Sequence, residues 1–413
     1  MHKFGSKRHT SSNHSVLDEL AKTRLIFLSC ITFLLGLGAV MGFSAISIEI
    51  ISQEGSLLVE LLSQVVIFSL SIGAMFLCWR VFTYKVFAGR LMWVFYIGAL
   101  VLVSLTFLYG FAGGGAVRWI RIGPLSLQPS ELYKIISTVV AAVYVMKFLD
   151  ARQGERGGIA LQGVAALFAP LAFIVVAQSD LGTVIICAVG ILSVMWFAGV
   201  DMKIIGLILL AGVVLAAFLI VFEGYRMARF TSHLDPWSDP YVTGYQLIRA
   251  LYAFAQGGLF GVGLGNSAEK FLYLPDAETD FIIAIIGEEL GTVMVIAVIV
   301  AFCLYLWAAL KMARLASDKL GMVIVSALAI MLVFQAFLNI GCATGLLPIT
   351  GKPLPFLSQG GSSLLSSCVI TGIILSATNE VSMKEKYAKS REKISVVRGG
   401  RSRNNSAGSN YYR

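Results

Sequence analysis

Residues 274–291 read LPDAETDFIIAIIGEELG, and the chain continues without a break as TVMVIAVIVAFCLYLWAALKM through residue 312. The second run is long enough to cross a bilayer as a helix, which takes about 20 apolar residues. The first carries five carboxylates, Asp276, Glu278, Asp280, Glu288 and Glu289, at the mouth of that helix and inside it. Asp280 stands where polar loop turns into apolar helix. Glu288 lies about 12 Å deeper at 1.5 Å per residue. A carboxylate at that depth is costly unless paired, so Glu288 and Glu289 are expected to face the protein interior and meet partners. Asp280 can touch both water and a polar cavity. Partial desolvation raises a carboxyl's pKa, which suits a general base. A helix N-cap at Asp280 is the competing reading.

Composition agrees with a membrane setting. Of 413 residues, 57% are hydrophobic and 13% charged, against about a quarter charged in soluble domains. The mean hydropathy is +0.83. The expected fold is an all-α integral membrane protein of ten spans, at roughly 24–47, 57–79, 87–109, 130–149, 158–177, 182–200, 203–223, 281–310, 320–346 and 360–378. With both termini inside, most of the 32 Lys and Arg fall in cytoplasmic segments, as the positive-inside rule requires. Residues 1–22 read as a polar, disordered lead, 23–379 as the membrane domain, and 380–413 as a basic cytoplasmic tail. The first span reads as a retained signal-anchor. The tail is expected to touch anionic lipid rather than nucleic acid. The six cysteines lie in or beside apolar spans without paired spacing, and the four histidines form no metal motif.

Pro124, Pro129, Pro236, Pro240, Pro275, Pro348, Pro353 and Pro355 all fall in outer segments, which are long and rich in turns. Binding and catalysis concentrate in such loops. In 113–135, GGGAVRWIRIGPLSLQPSELYKI, Arg118 and Arg121 suit phosphate oxygens, and Glu131 and Lys134 share a helix face. In 177–183, AQSDLGT, Gln178 and Asp180 form a tight turn, where a cap explains Asp180 almost as well as a function. The large extracytoplasmic loop 224–280, between spans seven and eight, offers Arg226 and Arg229 for a headgroup or pyrophosphate, and an amphipathic helix over 244–256. Its GLFGVGLGN, 258–266, lacks the dinucleotide spacing and reads as a flexible re-entrant or interfacial loop. The stretch 345–364, GLLPITGKPLPFLSQGGSSL, cannot form a continuous helix and must be buried in protein or line a cavity. Gln359, Ser362 and Ser363 can donate hydrogen bonds there, and Lys352 adds a charge.

The blocks RWIRIGPLSLQPSELYK, QSDLGT, DPYVTGYQL, GLGNSAEKFLYLPDAETDFIIAIIGEELG and SQGGSSLL, in this order, resemble the SEDS family of bacterial cell-wall synthesis, which contains FtsW, RodA and SpoVE. The resemblance spans about residues 20 to 380, and GLGNSAEK and GGSSLL look closer to the FtsW division branch. One departure is Gln359, where the family usually has Tyr. The resemblance implies a peptidoglycan glycosyltransferase of the bacterial inner membrane at the division septum. It would polymerise lipid II and release undecaprenyl pyrophosphate. Asp280 matches the family's catalytic aspartate. Arg118, Lys134, Arg226, Arg229, Gln359 and Ser362 become candidates for substrate and pyrophosphate. Glu131, Gln178, Asp180, Glu288 and Glu289 become supporting residues. Implied partners are a class B penicillin-binding transpeptidase, other division proteins, undecaprenyl-linked glycan and membrane lipid. A divalent cation such as Mg on the pyrophosphate fits this chemistry, but no carboxylate cluster demands one. A lipid II flippase and a non-catalytic scaffold for the transpeptidase are the alternatives.

Overall fold

The computed structural model describes residues 7–379 apart from 54–56, 110, 114–115, 123–124, 153–169, 172–173, 175–177, 179, 223 and 272. Seven described helices are long and apolar enough to cross a membrane. They lie within α1 (Lys7–Gln53), α2 (Leu57–Arg80), α5 (Pro129–Arg152), α6 (Leu181–Ala198), α7 (Met202–Phe222), α10 (Ile282–Arg314) and α11 (Lys319–Ala343). Two shorter apolar helices, in α4 (Met92–Tyr109) and α12 (Gly361–Ser376), occupy two further expected spans. The fifth expected span, 158–177, lies almost wholly outside the described residues, as does the tail.

Helix α7 shows why this fold belongs in lipid. It is apolar all round, yet only Ile205 is buried against protein. Leu207, Leu210, Val213 and Val214 are each more than half exposed. An isolated apolar rod of this kind has no favourable place in water. At the other extreme, α11 buries Gln335 and Asn339 together with its apolar side chains and forms the centre of the bundle.

Two expectations change. Helix α1 begins at Lys7, so residues 7–22 are helix rather than a disordered lead. Leu20 is buried, and Lys311 of α10 reaches Glu19 at 2.8 Å, which ties this extension to the bundle. The fold is also not purely α. Strands β1 (Phe111–Gly113), β2 (Ala116–Ile122) and β3 (Leu125–Leu127) form a small antiparallel sheet in the segment expected only as a glycine-rich loop. AVRWIRI is rich in β-branched and aromatic residues, Val117, Trp119, Ile120 and Ile122, which favour a strand. A short helix α3 (Tyr84–Ala88) connects α2 and α4. The outer loop carries α8 (Gly224–Leu234) and α9 (Tyr245–Gly257), the second being the expected amphipathic helix.

The loop after α9 is stitched into a break in α10. Gly291 has φ 81° and ψ 173°, a conformation outside the helix. The carbonyls this break releases find new donors: Val262 N–H reaches Glu288 O at 2.9 Å and Gly263 N–H reaches Glu289 O at 3.0 Å. In return, Thr292 N–H donates to Gly258 O at 3.0 Å. The residues expected to be flexible are therefore hydrogen-bonded to a kinked membrane helix, which satisfies backbone groups that lipid would leave bare. A Cβ at residue 291 would stand 2.3 Å from Leu259 O. Gly291→Ala is expected to cost about 1–3 kcal/mol from backbone conformation alone, before that clash is counted. The melting temperature in detergent should drop clearly, and an unchanged one would mean that the break is not needed.

Candidate active site

The site is built where the start of α10 meets the non-helical stretch between α11 and α12. Asp276 adopts φ 54°, and its carbonyl accepts from Asp280 N at 3.0 Å, from Thr279 N at 3.2 Å and from Phe281 N at 3.3 Å. This turn delivers Asp280 to the mouth of the helix. Asp280 does not cap α10: the cap position is Phe281, and no side chain caps it. The Asp280 carboxylate makes no hydrogen bond or ion pair among the described residues. Its neighbour is the Gly351 backbone, where a Cβ would stand 3.4 Å from Oδ2. Burial raises the Asp280 carboxyl first, and Asp276 adds to it. Lys352, Arg229 and Arg118 pull it back, and the result is a pKa pushed up to about 6.

The three cations that lower the Asp280 pKa come from three elements. Arg118, on β2, donates from Nε to the backbone oxygen of Gln178 at 2.9 Å. Arg229, on α8, donates to Ile349 O at 3.2 Å. Lys352 is buried and donates to Asp180 Oδ2 at 2.7 Å and Thr183 Oγ1 at 2.6 Å. Asp180 also caps α6, accepting from Thr183 N at 3.0 Å, so its cap role and its charge role coexist. Burial pushes the Asp180 carboxyl up, but Lys352 and Arg118 outweigh it and hold it below the usual range. Gly182 makes room for the lysine: a Cβ there would lie 2.9 Å from both Lys352 Cγ and Cε. Gln178 braces the arginine segment, donating to Thr106 Oγ1 at 2.8 Å.

Amides of α11 hold the Lys352 stretch. Gln335 Nε2 donates to Pro353 O at 2.9 Å, and Asn339 Nδ2 donates to Lys352 O at 2.7 Å. Leu354, Phe356 and Leu357 are buried, so this non-helical segment sits inside protein, as the bilayer requires. Neither amide was selected from the sequence, and Lys352 was noted only as a charge. A signal existed: Gln335 and Asn339 are polar residues four apart in an apolar run, hence on one helix face.

Other expected site residues fall elsewhere. Lys134 is 2% exposed and pairs with Glu131 on its own helix, with Gln335 Oε1 2.7 Å away. Glu131 also accepts from Ser366 Oγ at 2.8 Å. That network leaves Lys134 without an open face for an anion, and corrects its assignment to the pyrophosphate. Ser362 is likewise engaged, donating to Ser126 O at 3.1 Å and accepting from Gln128 N at 2.8 Å; it stitches β3 to α12. Gln359 donates to Gly42 O at 2.6 Å and lines a separate cavity with Gly38, Ser63 and Gln64, between α1 and α2. Arg226 lies in α8 a turn before Arg229, and its side chain is outside the described residues. Glu288 and Glu289 meet partners from the outer loop. Glu288 accepts from Ala268 N at 2.7 Å and from Ser267 Oγ, and Glu289 pairs with Lys270, which also donates to Ser44 Oγ at 2.8 Å. They pin the loop to α10. Among the described residues, no group of three or more His, Cys, Asp or Glu is placed to hold a metal ion.

The sequence profile of the FtsW, RodA and SpoVE proteins, a family described as cell cycle proteins, matches residues 24–383. The chain belongs to this family. Among its FtsW/RodA/SpoVE relatives is a probable peptidoglycan glycosyltransferase FtsW of Tolumonas auensis, 39% identical over 295 residues, 71% of this chain and 75% of that one. The protein of the same name from Nitrosomonas europaea is 37% identical over 360 residues, 85% of this chain and 91% of that one. Two solved structures extend the family likeness to the fold. One, described as a peptidoglycan synthase complex that coordinates polymerization and crosslinking, has a chain 26% identical with TM-score 0.66, covering 85% of this chain and 97% of that one. The other is the rod-shape-determining protein RodA of Thermus thermophilus, 25% identical with TM-score 0.59, covering 84% and 94%.

Proposed function

We propose that this chain is a peptidoglycan glycosyltransferase that polymerises lipid II at the outer face of the bacterial cytoplasmic membrane, at the division septum. The observation that carries the reading is the pairing of an unengaged carboxylate, Asp280, with Arg118, Arg229 and Lys352 on neighbouring segments. Glycosyl transfer from a polyprenyl pyrophosphate needs those two things. Asp280 takes the proton from the acceptor sugar's 4-hydroxyl as its oxygen attacks the anomeric carbon of the growing chain. The bond from that carbon to the pyrophosphate oxygen breaks, and the electron pair leaves with undecaprenyl pyrophosphate. The three cations stabilise the charge that develops there. A single displacement of this kind needs no protein nucleophile. A divalent cation such as Mg would add positive charge to help the pyrophosphate leave; among the described residues no group of three or more carboxylates is placed to hold it.

A lipid-tethered substrate also accounts for a base at the water–lipid boundary, because the reacting carbon is held at that depth. The partners consistent with this role are lipid II, undecaprenyl-linked glycan, membrane lipid, a class B penicillin-binding transpeptidase and other division proteins.

The test uses the purified chain with its cognate transpeptidase and lipid II in detergent, where transport across a bilayer cannot score. Glycan strands are the expected product. An intact complex that makes none would overturn the reading in favour of a flippase or a scaffold.

A further inference from the structure

Asn339 lies on α11 one turn beyond Gln335 and is 2% exposed. Its Nδ2 donates at 2.7 Å to the backbone oxygen of Asp280, and at 2.7 Å to that of Lys352. Both partners are carbonyls, which only accept, so the nitrogen must face them and the orientation of the amide is fixed. The oxygen Oδ1 is therefore turned away from both backbones. It is buried and has no hydrogen-bond partner among the described residues. Gln335 makes the contrast: its oxygen accepts from Lys134 and its nitrogen donates to Pro353 O, so both ends are satisfied. Asn339 lines one small cavity together with Asp280, Thr350, Gly351 and Lys352. An orphaned buried amide oxygen costs about 1–3 kcal/mol, a cost that a donor arriving with the substrate removes.

We infer that Asn339 is a positioning residue for glycosyl transfer: its amide nitrogen ties the segment bearing Asp280 to the segment bearing Lys352, and its Oδ1 accepts a hydrogen bond from the sugar hydroxyl entering this cavity. The inference rests on Asp280 being the base. Two short ties from one side chain fix the backbone of residue 280 against that of residue 352. A third bond to the incoming hydroxyl aims it at the carboxylate. Such geometry is worth most when the reacting atoms are held within a fraction of an ångström, and a misplacement of about 1 Å can cost 10²-fold in rate.

The experiment compares the native chain, Asn339→Ala and Asp280→Asn, each with the cognate transpeptidase and lipid II in detergent, across pH. For Asn339→Ala, kcat is expected to fall about 10²-fold with little change in KM. The acid limb of its pH profile should move upward, because Lys352 no longer stands in register to offset Asp276 and burial at Asp280; Arg118 and Arg229 remain. A role confined to stability would instead lower the melting temperature and leave kcat per folded molecule and the acid limb in place, which overturns the inference. If Asn339→Ala does not fold, Asn339→Ser, which keeps one donor and one acceptor, is measured against the same two outcomes. An active Asp280→Asn would sink the base assignment itself, whereas a dead Asp280→Asn beside a native-like Asn339→Ala would sink only the role of Asn339.

Discussion

Asp280→Asn is expected to abolish strand formation while the protein stays folded. General-base catalysis contributes about 10²–10⁴-fold, and an amide at residue 280 cannot take the hydroxyl proton, so a loss of about 10³-fold or more is expected. The fold should not suffer, because among the described residues the carboxylate makes no hydrogen bond or ion pair that the amide would break. Linkage sharpens this. A carboxyl with its folded pKa raised to about 6 favours the folded state at low pH, and that contribution is lost as pH rises through about 6. At pH 7 the native chain therefore carries a desolvated charge that Asp280→Asn lacks. The variant is expected to melt no lower than the native protein at pH 7. A variant that was inactive and also unfolded would say nothing for a base, and a folded variant with native activity would remove Asp280 from the chemistry. In the native enzyme the same group is expected to set an acid limb. Strand formation should decline below about pH 6 and approach a tenfold loss per further unit, since only the deprotonated carboxylate accepts the proton.

How much of this was legible in the sequence depended on the range of each signal. Among the described residues, nine of the ten expected spans have a helix, because apolar runs of membrane length are a local property of the chain. Asp280 was also legible, since it sits where one such run begins. The need for partners at Glu288 and Glu289 followed from depth alone, but the identity of Lys270, Ser267 and Ser44 did not, because the first two come from a loop folding back across the helix and the third from α1. Lys134 fails for the opposite reason. Three residues from Glu131, it forms a satisfied pair on its own helix, and nothing local distinguishes that pair from one poised for an anion. Lys352 and Asp180 lie 172 positions apart, and only the assembled bundle brings them into contact. The small sheet was hidden by its glycines and by arginines three apart, a spacing without the period of two that marks a strand, although AVRWIRI is rich in β-branched and aromatic residues.

Lys352 and Asp180 should separate stability from chemistry. Their contact is fully buried, with side-chain exposures of 0% and 1%. Removing one partner strands the other charge out of water, which typically costs about 3–5 kcal/mol. Asp180→Ala adds the loss of the α6 cap, about 1 kcal/mol more. Either single change is expected to lower yield and melting temperature sharply. Asp180→Asn combined with Lys352→Met leaves no charge unpaired, and should recover much of the stability that Lys352→Met alone loses, as neutral replacements of buried ion pairs often do. Activity should not return with it. The ammonium of Lys352 favours the ionised form of Asp280, and under the proposed mechanism it would act with Arg118 and Arg229 on the pyrophosphate charge. Loss of one preorganised electrostatic contact of that kind costs about 10²–10³-fold in kcat. The double variant is therefore expected to be folded, to bind its transpeptidase partner, and to make strands at about one hundredth of the native rate or less, with its acid limb shifted to higher pH. Native-rate synthesis by the folded double variant would mean that Lys352 serves only to hold α6 against the loop, and that Arg118 and Arg229 meet the pyrophosphate without it.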